Sequence, residues 1–304
     1  MKKLGHVLGD SGQHFVVDRA YAAYLEQKLA HLSRSERCGG LSEGRHDGLE
    51  EALWRVFALV AEEHPMLVAL EDGGLQLKML GIKLYARSSY EYGLETLPNA
   101  PLAELGQRAQ QHLKARRGID RLIHVLALSV QEDFVILRDL GNNDEAECLC
   151  VTFPSHWDPH EKIGQNFSEL HRPVADAQAL LKSHRPIMDA LFRKGPFVRF
   201  VWGLSADASL SQHPDLPRRA LAECSPGTLA QHLTFRTERQ VSCPLPHNRC
   251  LFTVRVTVQP LQEALCNAER RQRLASALAL MDDALLAYKG LTAWRESLLA
   301  YLNA

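Results

Sequence analysis

The stretch FPSHWDPHEKIGQNFSELHRPV, residues 153–174, places three histidines, His156, His160 and His171, around one short predicted helix. Asp158 followed by Glu161 has the spacing of a capping box, and Pro159 falls at a first helical position, where proline is favoured. A helix is therefore expected from Asp158 to just before Pro173, with Ile163, Phe167 and His171 four apart on one face. An imidazole in the last turn of an apolar face has two uses. It can bond nearby carbonyls and meet the helix dipole. It can also stay neutral at the edge of an apolar pocket and bind a haem iron axially. His156 and His160 lie near the polar start of the helix and are expected at the surface.

A second pattern lies in LTFRTERQV. Alternation along a strand puts Leu233, Phe235, Thr237, Arg239 and Val241 on one face, and Arg236, Glu238 and Gln240 on the other. Arg239 thus intrudes on a largely apolar face, where a guanidinium is costly unless paired. Either it joins a structural ion pair, or it faces a cavity and meets a propionate, bound oxygen or a polar substrate group. The strand ends at Cys243-Pro244, a pair that makes Cys243 a rival thiolate ligand, although a hairpin entry explains the dipeptide equally well. Cys148 and Cys150 point to one face of a strand, and core packing accounts for them.

The elements that position these residues are ordinary ones. The chain has 304 residues, 46% of them hydrophobic and 23% charged, and a net charge of −1 argues against a nucleic-acid partner. There is no apolar run of membrane-spanning length, and the N-terminus lacks the apolar stretch of a signal peptide. Seven cysteines at irregular spacing fit free thiols in a reducing cytoplasm. No GxGxxG, GxxxxGK[ST], GxSxG or HExxH occurs. Leu49, Leu53, Val56 and Val60 predict a helix that stops before Pro65. MLVALEDGGLQLKML reads as two strands about an Asp-Gly turn, and EDFVILRDLGNNDEAECLCVTFP as a hairpin. Helices are expected after Pro101, over roughly 119–129, and over 175–193 punctuated by Pro186. Three further strands are FVRFVWGL, HLTFRTERQVSC and CLFTVRVTV, the last two flanking the loop PLPHNR. From Leu261 onward, Leu274, Leu278, Met281 and Leu285 predict one long helix ending near Gly290. Local hairpins with helices around them make an α+β fold.

In this order, VQEDFVIL, FPSHWDPHEKIGQNFSELHRPV, FRTERQ and CLFTVRVTVQPL resemble the haem-dependent oxidative N-demethylase family, over about residues 52–261. The resemblance implies a PAS-like antiparallel sheet surrounded by helices and enclosing a b-type haem (heme b). That unit would span 49–262, after an N-terminal helical extension, 1–48, and before C-terminal helices, 263–304, packed on the same domain. It also implies an oxygen-dependent reaction in which a secondary amine loses a methyl group as formaldehyde, with electrons from a separate flavin and iron–sulfur reductase. The absent nucleotide motifs agree with that division.

Carried over by motif, His171 is the expected haem-iron ligand, and Phe153, Trp157 and Lys162 line or anchor the cofactor. Arg236, Glu238, Arg239 and Gln240 match the family's RxERQ, and Arg255 matches its final-strand arginine, expected at the cofactor. Arg239 is the expected pocket cation, and Glu238 and Arg236 are expected to share in catalysis. A bulge would be needed to bring Glu238 and Arg239 to the same side. Arg199 and Trp202 keep the family's RxNW pattern, with Trp202 at the cofactor, but Val201 replaces the asparagine, removing two donors and an acceptor. Ala175 replaces a proline that usually follows HxPV. The function expected is a haem oxygenase acting on a small amine or related metabolite. The alternatives are a haem-based PAS-like sensor, and a structural subunit that no longer binds haem.

Overall fold

The hairpin that carries RTERQ organises the molecule. The computed structural model describes residues 6–7, 12–34, 37–88, 90–172, 181–217 and 228–303. The long strands β9 (Thr234–Leu245) and β10 (Arg249–Pro260) pair in continuous antiparallel register, from Leu245 opposite Arg249 to Thr234 opposite Pro260. His247 and Asn248 both take positive φ, the left-handed backbone of a tight hairpin turn. The strands thus run further into PLPHNR than turn chemistry alone predicts. On one side of this ribbon lies β8 (Phe197–Ser205), itself touched by the short β1 (His6–Val7). On the other lies the hairpin β6 (Asp133–Asp139) and β7 (Asp144–Cys150). The sheet order is β1-β8-β9-β10-β6-β7.

A second, four-stranded antiparallel sheet is formed by β2 (Val68–Glu71), β3 (Gly74–Leu77), β4 (Ile82–Ser88) and β5 (Glu91–Thr96). Mixed helices and antiparallel sheets make the fold α+β. Among the described residues no helix is long and apolar enough to cross a membrane.

Helices cover the two faces of the large sheet differently. On one face α1 (Tyr21–Leu32), α2 (Leu49–Glu63), α3 (Ala103–Lys114) and α4 (Gly118–Ala127) bury Leu25, Leu53, Val56, Val60 and Leu126 against Ile136, Cys148, Cys150, Cys243 and Leu251. On the other, α5 (Phe167–His171) and α6 (His184–Arg193) bury Phe167, Ile187, Met188 and Phe192 against Leu137, Leu149 and Cys250. Each such burial contributes roughly 1.5–3 kcal/mol. The short α7 (Leu229–His232) precedes β9. After β10, α8 (Leu261–Ala264), α9 (Ala268–Ala279), α10 (Asp283–Tyr288) and α11 (Arg295–Asn303) build a third cluster with Leu204 and Leu233.

Two expected helices are broken. Residues 158–172 are not continuous: a 3-10 turn at His160–Lys162 ends at an extended Ile163, and α5 begins only at Phe167. Gly164 takes φ +74°, and its N–H donates to Ala146 O while Ala146 N–H donates to Gln165 O. Pairing with β7 therefore outcompetes the helix there. The capping box belongs to Asn166 and Glu169 instead, with the Glu169 N–H donating to Asn166 Oδ1 and the Asn166 N–H to Glu169 Oε2. The long C-terminal helix is likewise cut, because Asn267 and Asp282 each accept a backbone N–H three residues on and restart the helix. Of the helix expected over 175–193, α6 is observed with Pro186 in its first turn, and residues 173–180, including Ala175, lie outside the described residues.

Candidate functional site

His171 closes α5, one turn after Phe167. Its Nδ1 lies 2.8 Å from the Phe167 carbonyl oxygen, and the two rings pack at 4.1 Å and 31°. A carbonyl only accepts, so Nδ1 must carry the proton and Nε2 keeps its lone pair. Burial lowers the pKa below the usual histidine value, the Phe167 carbonyl works against this, and Arg199 adds to the lowering. The imidazole is therefore neutral at physiological pH, as a metal ligand must be.

Packing of Phe167 on Leu137 and Cys250 puts α5 on one definite face of the large sheet. Cross-strand pairing decides what shares that face. Cys250 pairs with Leu137, and along β10 the same side carries Phe252, Val254, Val256 and Val258. Opposite these stand Gln240, Glu238 and Arg236 of β9, and beyond them Arg199 and Val201 of β8. Phe252, Val254 and Val135 there are half-buried, whereas Leu251 and Thr253 on the other face are fully buried. The α5 face thus combines a partly covered apolar floor with a row of polar groups.

Those groups form one hydrogen-bonded chain. Arg236 Nε donates to Ser155 Oγ at 2.8 Å, and Ser155 Oγ donates to Glu238 Oε1 at 2.5 Å. Gln240 Nε2 donates to Glu238 Oε2 at 2.8 Å and accepts Arg199 Nε on its own Oε1 at 2.5 Å. Arg236 is buried and anchored further by the carbonyls of Phe153 (2.9 Å) and Leu210 (2.8 Å). Ser155 is held in place by a bridge to Gln212, next to His156 in left-handed backbone at φ +66°. Arg199 lies over the Phe252 ring at 5.9 Å, and its terminal nitrogens have no partner among the described residues. Tyr288, at the end of α10, is within electrostatic reach of Glu238 and Arg199; burial, then Glu238, pushes its hydroxyl pKa up. The C-terminal helices therefore reach the edge of this face.

Other sequence-predicted residues are placed elsewhere. Arg239 is directly opposite Phe200 and Arg255, on the α1–α2 face. Its guanidinium donates to Gln13 O at 2.6 Å and His14 O at 3.3 Å, so it clamps an N-terminal strap and does not face His171. The bulge that would bring Glu238 and Arg239, the expected pocket cation, to the same side is not observed: β9 keeps continuous register here, and alternation separates the two. Arg255 pairs with Asp18 at 2.8 Å and stacks over Tyr24 at 3.8 Å. Trp202 stacks on Phe235 at 5.8 Å beneath Lys289. Both lie on the Arg239 side. Phe153 is buried edge-on to Tyr24 at 5.6 Å, Trp157 packs against the Phe167 cluster, and Lys162 sits in the 3-10 turn before α5. Cys243 belongs to the core of the α1–α2 face, so it and His171 cannot bind one iron from opposite sides of the sheet. Ser155, Gln240 and Arg199 are the functional candidates that sequence reasoning did not select. The signal was present for two of them in the alternation Arg236, Glu238, Gln240 and in its cross-strand partner, but Ser155 joins only through a tertiary bridge.

Among the described residues no group of three or more His, Cys, Asp or Glu side chains could hold a bare metal ion. A neutral imidazole with one ring nitrogen left unprotonated is a donor that a haem iron can use. The profile of the haem-dependent oxidative N-demethylase alpha subunit-like family matches residues 9–299. The chain belongs to that family. Membership brings haem dependence and oxidative demethylation as the family's description, and an alpha subunit suggests a partner.

Proposed function

We propose that the chain is the haem-binding oxygenase subunit of an oxidative N-demethylase, acting on a small amine or related nitrogenous metabolite with dioxygen. The observation that carries this reading is the state of His171, whose Nδ1 is committed to the Phe167 carbonyl so that Nε2 is available. His171 would hold the iron of a haem b. Phe252, Val254, Val135 and Trp157 offer the apolar wall, and Arg199 the cation for a propionate or an anionic substrate group. When bound, the haem supplies the dioxygen chemistry that loss of a methyl group as formaldehyde requires.

The chain's own residues bind and orient. Glu238, fixed by Ser155 and Gln240, is a preorganised acceptor for an ammonium or a hydroxyl proton. Arg236 has its donors turned to Ser155 and to backbone, so it positions Ser155 and does not reach for a ligand. Val201, directly across from Glu238, leaves the neighbouring wall apolar where an amide stands in the family pattern. Phe153 and Lys162 hold the segment leading to α5, while Arg239, Arg255 and Trp202 brace the opposite face.

The strand order supports a PAS-like reading: of the five successive strands β6–β10, the second lies beside the first, then the fifth, fourth and third. In this reading residues 49–262 are the haem unit, flanked by the 1–48 extension and the 263–304 helices. Lack of a nucleotide fingerprint in the sequence, with the alpha-subunit match, supports a separate flavin and iron–sulfur reductase. The described cysteines are free thiols, which supports a cytoplasmic setting.

The test is an absorption spectrum of the purified, haem-supplied chain before and after dithionite and carbon monoxide, followed by formaldehyde release from secondary amines with a reductase present. A haem spectrum and formaldehyde are expected; a chain that takes up no haem removes the reading.

A further inference from the structure

The peptide that fixes His171 is itself held from behind. Phe167 N–H donates to Asp144 Oδ2 at 2.7 Å, and the other carboxylate oxygen, Oδ1, lies 2.6 Å from His184 Nε2. Asp144 begins β7 and is only 3% exposed, so its carboxylate has little else to bond than these two groups. His184 starts α6, and its ring lies parallel to the Phe167 ring at 5.4 Å and 2°. Phe167 therefore packs against both imidazoles, at 5.4 Å and 4.1 Å, while its backbone joins Asp144 to His171.

The geometry points to Asp144 and His184 as positioning residues for His171. Asp144 anchors the Phe167 N–H, Phe167 O anchors His171 Nδ1, and His184 locks the carboxylate and the ring between them. A carboxylate acting one peptide removed performs what a carboxylate bonded to the far nitrogen of a metal-bound histidine does: it fixes tautomer and ring orientation before the ligand atom is used. In a five-residue helix, too short to hold its own geometry, such an outside anchor decides which way the last side chain points. Among the described residues no hydrogen bond joins Asp144, Phe167 or His184 to Arg236, Ser155, Glu238, Gln240 or Arg199, so substitutions at the anchor leave that polar chain's own bonds in place.

The inference rests on His171 as the iron ligand only for its purpose; the tautomer itself is tested without haem. Nitrogen-15 NMR of the histidine-labelled, haem-free full chain reads which ring nitrogen of His171 carries the proton. Haem transfer from the loaded chain to an excess of apomyoglobin reads retention. Wild type is expected to show the Nδ1–H form. Asp144→Ala should mix the tautomers and speed haem loss ~10- to 100-fold, the usual effect of removing a group that orients a metal-binding histidine. Asp144→Asn, which keeps an acceptor for Phe167 N–H, should restore the tautomer and most of the retention. A wild-type His171 protonated on Nε2 overturns the inference, and so does Asp144→Ala with both readouts unchanged. Should Asp144→Ala not fold, His184→Ala takes its place, and unchanged tautomer and haem loss there remove the role of His184. If the tautomer responds as stated while His171→Ala keeps its haem, the anchor stands and the ligand reading fails.

Discussion

Glu238 and Arg239 are consecutive on β9, yet Glu238 accepts Ser155 and Gln240 on the α5 face while Arg239 holds the Gln13 and His14 carbonyls on the opposite one. The sheet itself separates two roles that a motif such as RTERQ runs together. Arg239→Leu should therefore cost about 1.5–3 kcal/mol of stability by releasing the strap, with turnover per folded haem near normal. Arg199→Leu should keep the fold and cut turnover by about a hundredfold or more, the effect of removing one preorganised donor. Thermal denaturation and steady-state kinetics on both variants distinguish this from the reverse assignment.

Ser155 is the single hydroxyl that joins Arg236 to Glu238. Ser155→Ala leaves Arg236 Nε and one carboxylate oxygen without that partner, at a cost of about 1–3 kcal/mol. A lowered melting temperature with an unchanged haem spectrum is expected, together with slower turnover. Unchanged kinetics would show that Glu238 needs no support from this side.

The strap carries a pH dependence. Burial alone would lower the His14 pKa, but hydrogen bonds to Cys243 and Glu63 outweigh it and raise it from 6.5 to about 9. Because the folded-state value lies above the unfolded one, the stabilisation is complete below about pH 6.5 and is lost as the pH rises through about 9. Melting temperature should fall across that window, and His14→Phe should flatten the step. A wild-type curve with no change between those limits contradicts the assignment.

Val201 faces Glu238 across β8 and β9, at the place where the family pattern has an asparagine. With no amide there to orient a small amine, the chain should turn over dimethylamine poorly, and Val201→Asn should improve it. Formaldehyde release measured for both proteins decides. Efficient turnover by the native chain would show that the asparagine is not needed.

Much of the frame was legible because local rules agreed with tertiary ones. The helix ending before Pro65, the Asp-Gly hairpin and the GNND hairpin all appear where periodicity and turn residues put them. The β4–β5 hairpin was not legible, since Tyr90 takes its left-handed turn position at φ +61° without a glycine or asparagine to signal it. In the site, alternation correctly sorted Arg236, Glu238 and Gln240 from Arg239. What it could not show is which face each set of helices covers. A cation intruding on an apolar face invited a functional reading, and carbonyls 225 and 226 residues away in sequence satisfied it instead. His171 and Phe167 kept their relation because four-residue spacing survives even in a helix of one turn.

Whether His171 holds the haem is decided by a paired absorption measurement on His171→Ala and Cys243→Ala. His171→Ala should stay folded by circular dichroism and lose most of its haem, while Cys243→Ala, altered on the other face of the sheet, keeps it. Full haem occupancy in His171→Ala, or loss confined to Cys243→Ala, would remove His171 as the ligand.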